Sequence, residues 1–217
     1  MTETDAAVRR GGRAVLPSGE LIVLSIADGR RGRRWREAVS ADGKLLRTLL
    51  AETNQAGRLV RLELATAAGL LTLHPDLEET VLHGNVVTPT GIRHLTFDRT
   101  IVRVEGSPAA GAIAVASLSG LVEVGATVWV DLVVVDDRLE PRSGSWAVSR
   151  LEPRTWRLVE SHEPGSGGGS GPEVRDAAEA VGGQAASGAR VGSAELILRL
   201  DEHGLPVIDG ETWPLEI

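Results

Sequence analysis

The stretch Arg58–Glu105 decides the fold class of this chain, and it reads RLVRLELATAAGLLTLHPDLEETVLHGNVVTPTGIRHLTFDRTIVRVE. Its short apolar runs are separated by turn signals, which are Ala68-Gly69, Pro75-Asp76, Thr88-Pro89-Thr90-Gly91 and Asp98-Arg99. Apolar runs of about four to eight residues with partial alternation, bounded by such turns, are typical of antiparallel strands. The stretch therefore predicts an antiparallel meander.

Further strands are predicted on both sides of this meander. Residues 20–27 (ELIVLSIA) and 126–136 (ATVWVDLVVVD) are apolar on both faces, which is typical of strands covered on each side. Shorter strands are expected over 145–151 and 155–160. About ten strands are too many for one flat sheet of this size. We therefore expect a mainly β fold, in which a curled antiparallel sheet forms a barrel or roll, or in which two sheets pack together.

Two or three short helices complete the predicted fold. Ser107-Pro108 is a favourable helix start, and Ala109–Leu118 is apolar nearly all round, so a helix here must be buried; the alternative is another buried strand. A short helix is also considered at Glu37-Ala38-Val39, and a longer one over Glu173–Val181.

The composition changes abruptly after residue 163, and this change sets the predicted domain boundaries. We expect a flexible tail over 1–13, a β-rich domain over 14–163, a Gly/Ser linker over 164–172 and a helix-plus-strand arm over 173–217. The linker is either natural or engineered. The arm is too poor in apolar residues to fold alone, so it docks on its own domain or on a second copy, which would form a homodimer.

The overall composition excludes several classes of protein. The 217 residues are 42% hydrophobic and 24% charged, as in a globular protein, and they include no cysteine for disulfides or thiolate-ligated metals. No signal peptide or membrane span is expected, so the predicted location is the cytoplasm. The net charge of −7 makes nucleic acid an unlikely partner. An almost pure arginine set, with Lys44 as its one lysine, is typical of a GC-rich bacterial genome.

The best candidate binding site is the most basic stretch of the chain. It contains Arg30, Arg31, Arg33, Arg34, Trp35 and Arg36. Residues 1–36 carry a charge of +4, against −11 for the rest of the chain. Guanidinium groups bind carboxylates and phosphates in bidentate fashion, and a tryptophan stacks on planar groups. We expect this loop to bind an anionic ligand or an acidic protein partner, unless its arginines only neutralise the acidic body.

Three of the five histidines, His74, His83 and His94, lie in the meander. Their spacing matches no metal-binding motif, so no metal or other cofactor is expected, and they remain weak metal candidates. The chain also shows no nucleophile motif and no persuasive carboxylate pair. Binding or assembly without catalysis is thus the leading functional prediction. The alternative is a small-molecule binder or metal-dependent enzyme, with a pocket inside the barrel near His83, His94 and Trp129.

Overall fold

The structure is a computed structural model that describes residues 9–16, 18–160, 175–176, 195–208 and 215–216. In these ranges the chain forms two β-sheets and one α-helix, α1 (Pro108–Leu118). None of the described helical structure is long and apolar enough to cross a membrane.

Sheet A has nine strands and contains the meander. Its strands are β1 (Arg9–Val15), β2 (Leu21–Gly29), β3 (Gly32–Ala41), β4 (Lys44–Thr53), β5 (Leu59–Thr66), β6 (Gly69–Pro75), β7 (Leu82–Thr88), β8 (Gly91–Phe97) and β15 (Leu215–Glu216). Strands β1 to β8 pair with their neighbours in chain order, and β15 pairs with β1. The sheet curls into a half-barrel, so one face is an inner face and the other faces outward.

Sheet B has six strands. They are β9 (Val102–Val104), β10 (Thr127–Val135), β11 (Pro141–Glu152), β12 (Thr155–Glu160), β13 (Arg175–Asp176) and β14 (Glu195–Arg199). Strand β10 lies inside the sheet, because it pairs with β11 on one side and with β9 and β13 on the other. Strand β14 pairs with β12 of the same chain and buries Leu198.

Helix α1 is buried between the two sheets. Its first half, including Ala109 and Ile113, packs in the core with the inner face of sheet A, whereas Val115 and Leu118 pack against sheet B. A helix that is apolar all round needs this double cover. Ser107 is its N-cap, because the side chain accepts a hydrogen bond from the Ala110 N–H. The prediction of a buried helix is confirmed here.

The mainly β, curled fold is confirmed, but the predicted number of helices is wrong for the described residues. Residues 37–39 lie in β3, because their alternation of buried and exposed side chains has the period of a strand. Most of the helix predicted over 173–181 lies outside the described residues, and Arg175–Asp176 form β13. Residues 9–13, at the end of the predicted tail over 1–13, belong to β1.

Candidate functional site

The predicted arginine loop is a tight hairpin followed by the first half of β3. Gly29 and Gly32 are paired at its base, and Arg30 and Arg31 form the exposed turn. Gly32 has φ +133°, and an added Cβ would lie 1.9 Å from the Thr53 carbonyl oxygen, so the hairpin requires glycine at this position.

The strand period divides the candidate residues between the two faces of sheet A. Successive side chains of a strand point to opposite faces. Trp35 is buried on the inner face, and Arg33 lies on the same side, whereas Arg34 and Arg36 are exposed on the outer face. The six residues that the sequence groups together therefore cannot contact one ligand as a single set.

Arg33 is bound within the protein. Its Nε lies 2.6 Å from Asp28 Oδ1, and its Nη1 donates a hydrogen bond of 2.6 Å to the His203 carbonyl oxygen. Its guanidinium also lies 5.3 Å from the centroid of the Trp35 ring. These contacts tie the β2–β3 hairpin to the turn that follows β14.

The outer face of β1–β3 brings together arginines that the sequence analysis placed apart. The register aligns Arg9 with Ala27 and Arg34, Gly11 with Ser25 and Arg36, and Arg13 with Val23 and Ala38. We call the four arginines Arg9, Arg13, Arg34 and Arg36, with the small residues between them, the arginine face. Strands β1 and β3 are about 10 Å apart across β2, which leaves a shallow floor of Ala27, Ser25 and Val23 between two rows of guanidiniums.

Most of the arginine face has no acidic partner. Arg34 pairs with Glu52 at 2.8 Å, and both side chains are more than a third exposed. Within the described part of the chain, the guanidiniums of Arg9, Arg13 and Arg36 make no hydrogen bond or ion pair. Sequence reasoning missed Arg9 and Arg13 because Gly11 and Gly12 lie between them, and glycine is not typical of a strand. The spacing of residues 9, 11, 13 and 15 was the signal that could have found them.

A depression of about 410 Å³ continues from the arginine face across the outer side of sheet A. Arg36 and Ser25 line its edge, and much of its surface is apolar, contributed by Val23, Ala38, Leu50, Ala65 and Leu70. Val23 is 47% exposed. An apolar surface thus lies directly beside Arg36, which is unpaired among the described residues, and Glu63 lines the same depression.

The histidines lie on this same outer face, toward the other end of sheet A. His74 and His83 are cross-strand partners with ring centroids 6.2 Å apart, and His94 Nδ1 lies 2.6 Å from Asn85 Oδ1. They share no site with the arginines. In the described ranges, no group of three or more His, Cys, Asp or Glu side chains has the geometry to hold a metal ion.

The inner face holds a buried ion pair at the N-terminus of α1. Glu37 Oε2 accepts hydrogen bonds from the Ser107 hydroxyl at 2.9 Å and the Ala109 N–H at 3.0 Å, and Oε1 lies 3.5 Å from Arg47 Nε. Burial raises the pKa of Glu37 above its usual 4.5, although Arg47 and the two hydrogen bonds oppose this shift. These contacts of Glu37 therefore hold the N-terminus of α1 against sheet A.

A cavity of about 510 Å³ lies at the opposite end of α1. The β4–β5 turn, the β6–β7 loop, the β8–β9 connection and β10 surround it. Trp129, which the sequence analysis placed at the edge of a pocket, lines this cavity, whereas His83 and His94 do not. Ser117 lies in its wall, and its hydroxyl oxygen is 3.0 Å from the Ile113 carbonyl oxygen and 3.2 Å from that of Gly57, so its one hydrogen is shared between these two acceptors.

The comparisons with known proteins add a structural likeness and no function. No protein-family model matches the sequence, and no curated protein matches it. Among solved structures, a DUF1089 family protein from Pseudomonas aeruginosa is similar, with a TM-score of 0.48 and 13% sequence identity. The match covers 100% of this chain and 94% of that one.

Proposed function

We propose that this chain is a non-catalytic binding protein, and that its arginine face binds an acidic segment of a protein partner. The observation that supports this proposal is the register of β1–β3, which places four arginines on one exposed surface, around small residues. Guanidinium groups held about 10 Å apart on a rigid sheet suit two neighbouring carboxylates of an extended peptide.

The energetics of the arginine face favour binding. Exposed ion pairs contribute only about 0–1 kcal/mol, so the Arg34–Glu52 pair is exchanged for an incoming carboxylate at little cost. Arg9, Arg13 and Arg36 have no described acidic partner to give up. The arginines of β1 and β3 repel one another across β2, and a bound anion relieves that repulsion.

The adjoining depression favours a peptide over a simple inorganic anion. Val23, Ala38 and Leu70 offer an apolar surface next to Arg36. A peptide that carries an apolar side chain beside its acidic residues would bury both kinds of group at once. Apolar contact contributes about 25 cal/mol for each Å² removed from water.

Binding of a labelled 12-residue peptide composed of Asp, Glu and Leu, followed by fluorescence anisotropy, tests this proposal. The wild-type chain is expected to bind it, and binding should weaken strongly between about 50 and 200 mM salt because the contacts are ionic. A matched peptide with Asn and Gln in place of the acids is expected to bind weakly or not at all.

The double variant Arg9→Gln/Arg36→Gln is expected to lose at least about tenfold in affinity, equivalent to about 1.4 kcal/mol. Arg138→Gln removes an exposed arginine from the β10–β11 turn and serves as the matched control. Equal affinity of the double variant and the control, or equal binding of the uncharged peptide, would show that the arginine face is not the site.

A second candidate function is the binding of a small molecule, and the cavity at the C-terminal end of α1 favours it. Its volume of about 510 Å³ falls within the range of about 300–1,000 Å³ that is usual for ligand pockets. Of the three residues that the sequence analysis placed near a pocket, Trp129 lines this cavity. His83 and His94 lie on the outer face of sheet A, away from the cavity.

A further inference from the structure

The cavity at the C-terminal end of α1 has an apolar wall. Leu59, Ile101 and Leu118 come from three different elements and meet there, and Trp129 and Val130 of β10 lie beside them. Leu118 and Val130 belong to the buried core, so this wall is held by the same packing that holds the two sheets together. A ligand in the cavity therefore needs an apolar part.

The charged groups at the rim leave an excess of negative charge. Arg99 Nη1 donates a hydrogen bond to Asp98 Oδ1, and Arg99 Nη2 lies 3.2 Å from Asp131 Oδ2. Two carboxylates therefore share one guanidinium. The hydrogen bond from Arg99 lowers the pKa of Asp98, which keeps that carboxylate ionised at neutral pH. The other ion pair at the rim, Arg58 with Glu79 at 2.7 Å, is neutral as a pair. The charged residues that line the cavity are two arginines and three acids, so together they carry a net charge of −1. They are Arg58, Glu79, Asp98, Arg99 and Asp131.

The negative potential comes from the rim carboxylates and not from the helix end, which is bound by an arginine. The C-terminus of an α-helix carries a partial negative charge of about half an elementary charge, because its last carbonyl groups are unpaired within the helix. Arg150 of β11 offsets this charge, because its Nη1 donates hydrogen bonds to the Ser119 and Val122 carbonyl oxygens at 3.0 and 3.1 Å. Ser117, Leu118 and Ser119 from this turn line the cavity.

We propose that this cavity binds a small organic monocation with an apolar body, such as an amine or a quaternary ammonium compound. Its positive charge is held beside Asp98 and Asp131 at the end of α1, and its apolar body packs on Leu118 and Trp129. Tryptophan is the side chain that best attracts an organic cation through its ring. The inference rests on the second candidate function, and it is independent of the arginine face.

Calorimetric titration of the full chain with benzyltrimethylammonium tests the ligand class. Benzyl alcohol and benzoate serve as neutral and anionic probes with a similar apolar body. The cation is expected to bind saturably and about tenfold more tightly than either of the other two. Equal or tighter binding of benzoate or benzyl alcohol would overturn the cationic class while leaving small-molecule binding in place. No saturable binding of any probe would overturn both.

Variants locate the site. Asp131→Asn and Trp129→Leu are each expected to weaken binding of benzyltrimethylammonium by about tenfold. Asp42→Asn removes an exposed carboxylate from the β3–β4 turn, at the opposite end of sheet A, and is expected to bind like the wild type. This control separates cavity binding from the general attraction of cations to a protein of net charge −7.

Leu121→Lys provides an additional test should either cavity variant fold poorly. Leu121 lines the cavity and is 57% exposed, so a lysine there adds positive charge with little cost to packing. Binding of the cation is expected to weaken. Unchanged affinity in Leu121→Lys together with unchanged affinity in Asp131→Asn would place the binding elsewhere and overturn the proposal.

Discussion

The two faces of sheet A differ in how their charged residues are held, and β3 shows the difference along a single strand. On the inner face, Glu37 is 2% exposed and contacts Arg47, Ser107 and the backbone of α1. On the outer face, Arg36 is exposed and makes no ion pair with any described residue. One strand therefore carries two sets of charges with different consequences for stability and binding.

Solvent exposure explains why the two sets differ. A buried charge that loses its partner remains desolvated, so it strongly destabilises the fold. An exposed charge that loses its partner returns to water at little cost. The inner charges are consequently fixed by the fold, whereas the outer charges are available to a ligand. Substitutions confined to one face at a time test this contrast.

The largest effect is expected from Arg47→Met on the inner face. The change leaves Glu37 without its buried counter-charge and removes the donor to the Glu105 and Gly106 carbonyl oxygens. Loss of one partner of a buried ion pair costs about 3–5 kcal/mol. For a chain of this size that corresponds to a fall of about 10 °C in Tm, which differential scanning calorimetry measures.

Lys44→Met is the matched control for this prediction, because Lys44 is an exposed cation on the same strand. Its Tm is expected to stay within about 2 °C of the wild type. Similar Tm values for the two variants would contradict the structural role of the buried pair.

A smaller loss of stability is expected from Arg33→Gln. Arg33 is partly buried, and it joins Asp28 to the His203 carbonyl oxygen, so its removal should cost about 1–2 kcal/mol. Urea denaturation measures this difference. Arg34→Gln, one residue along β3, is expected to change the free energy of unfolding by less than about 0.5 kcal/mol. Equal losses would show that the two faces of β3 do not differ.

The pH dependence of stability is expected to change in Glu37→Gln. Burial raises the pKa of Glu37 in the folded state above 4.5, so the folded state binds the proton more tightly than the unfolded state. The stability linked to this proton is present below the unfolded pKa and is lost as the pH rises through the folded pKa, by at most about 1.4 kcal/mol per pH unit.

Denaturation of both proteins between about pH 4.5 and 8 checks this expectation. The wild type should lose stability relative to Glu37→Gln as the pH rises. A difference that stays constant, or one that moves in favour of the wild type, would mean that Arg47 and the hydrogen bonds outweigh burial.

Sequence patterns predicted the fold class well because they depend on local rules. Alternation and turn residues identified the meander over 58–97, but Val102–Val104 of the same predicted stretch pair in parallel with β10 in sheet B. Ser107-Pro108 identified the start of α1, whose cap has the expected contact with Ala110. The short segment at 37–39 was ambiguous because three residues are too few to distinguish the period of a helix from that of a strand. Pairing with β2 and β4 decided in favour of a strand.

The arrangement of the candidate site could not be predicted, because it depends on register and on distant contacts. The run from Arg30 to Arg36 looks like one basic cluster in the sequence, but the strand period sends Arg33 and Trp35 inward. Arg9 joins the arginine face only because β1 pairs with β2. The partner of Arg33, the His203 carbonyl oxygen, lies 170 residues away in the chain.

The affinity of the acidic 12-residue peptide for two variants of β3 tests the central claim most directly. The outer-face variant Arg34→Gln/Arg36→Gln is expected to bind at least about tenfold more weakly than the wild type, while its Tm is unchanged. The inner-face variant Arg33→Gln is expected to keep the wild-type affinity despite its lower Tm. Undiminished affinity in the outer-face variant, or an equal loss in both variants, would contradict the division of β3 into a structural face and a binding face.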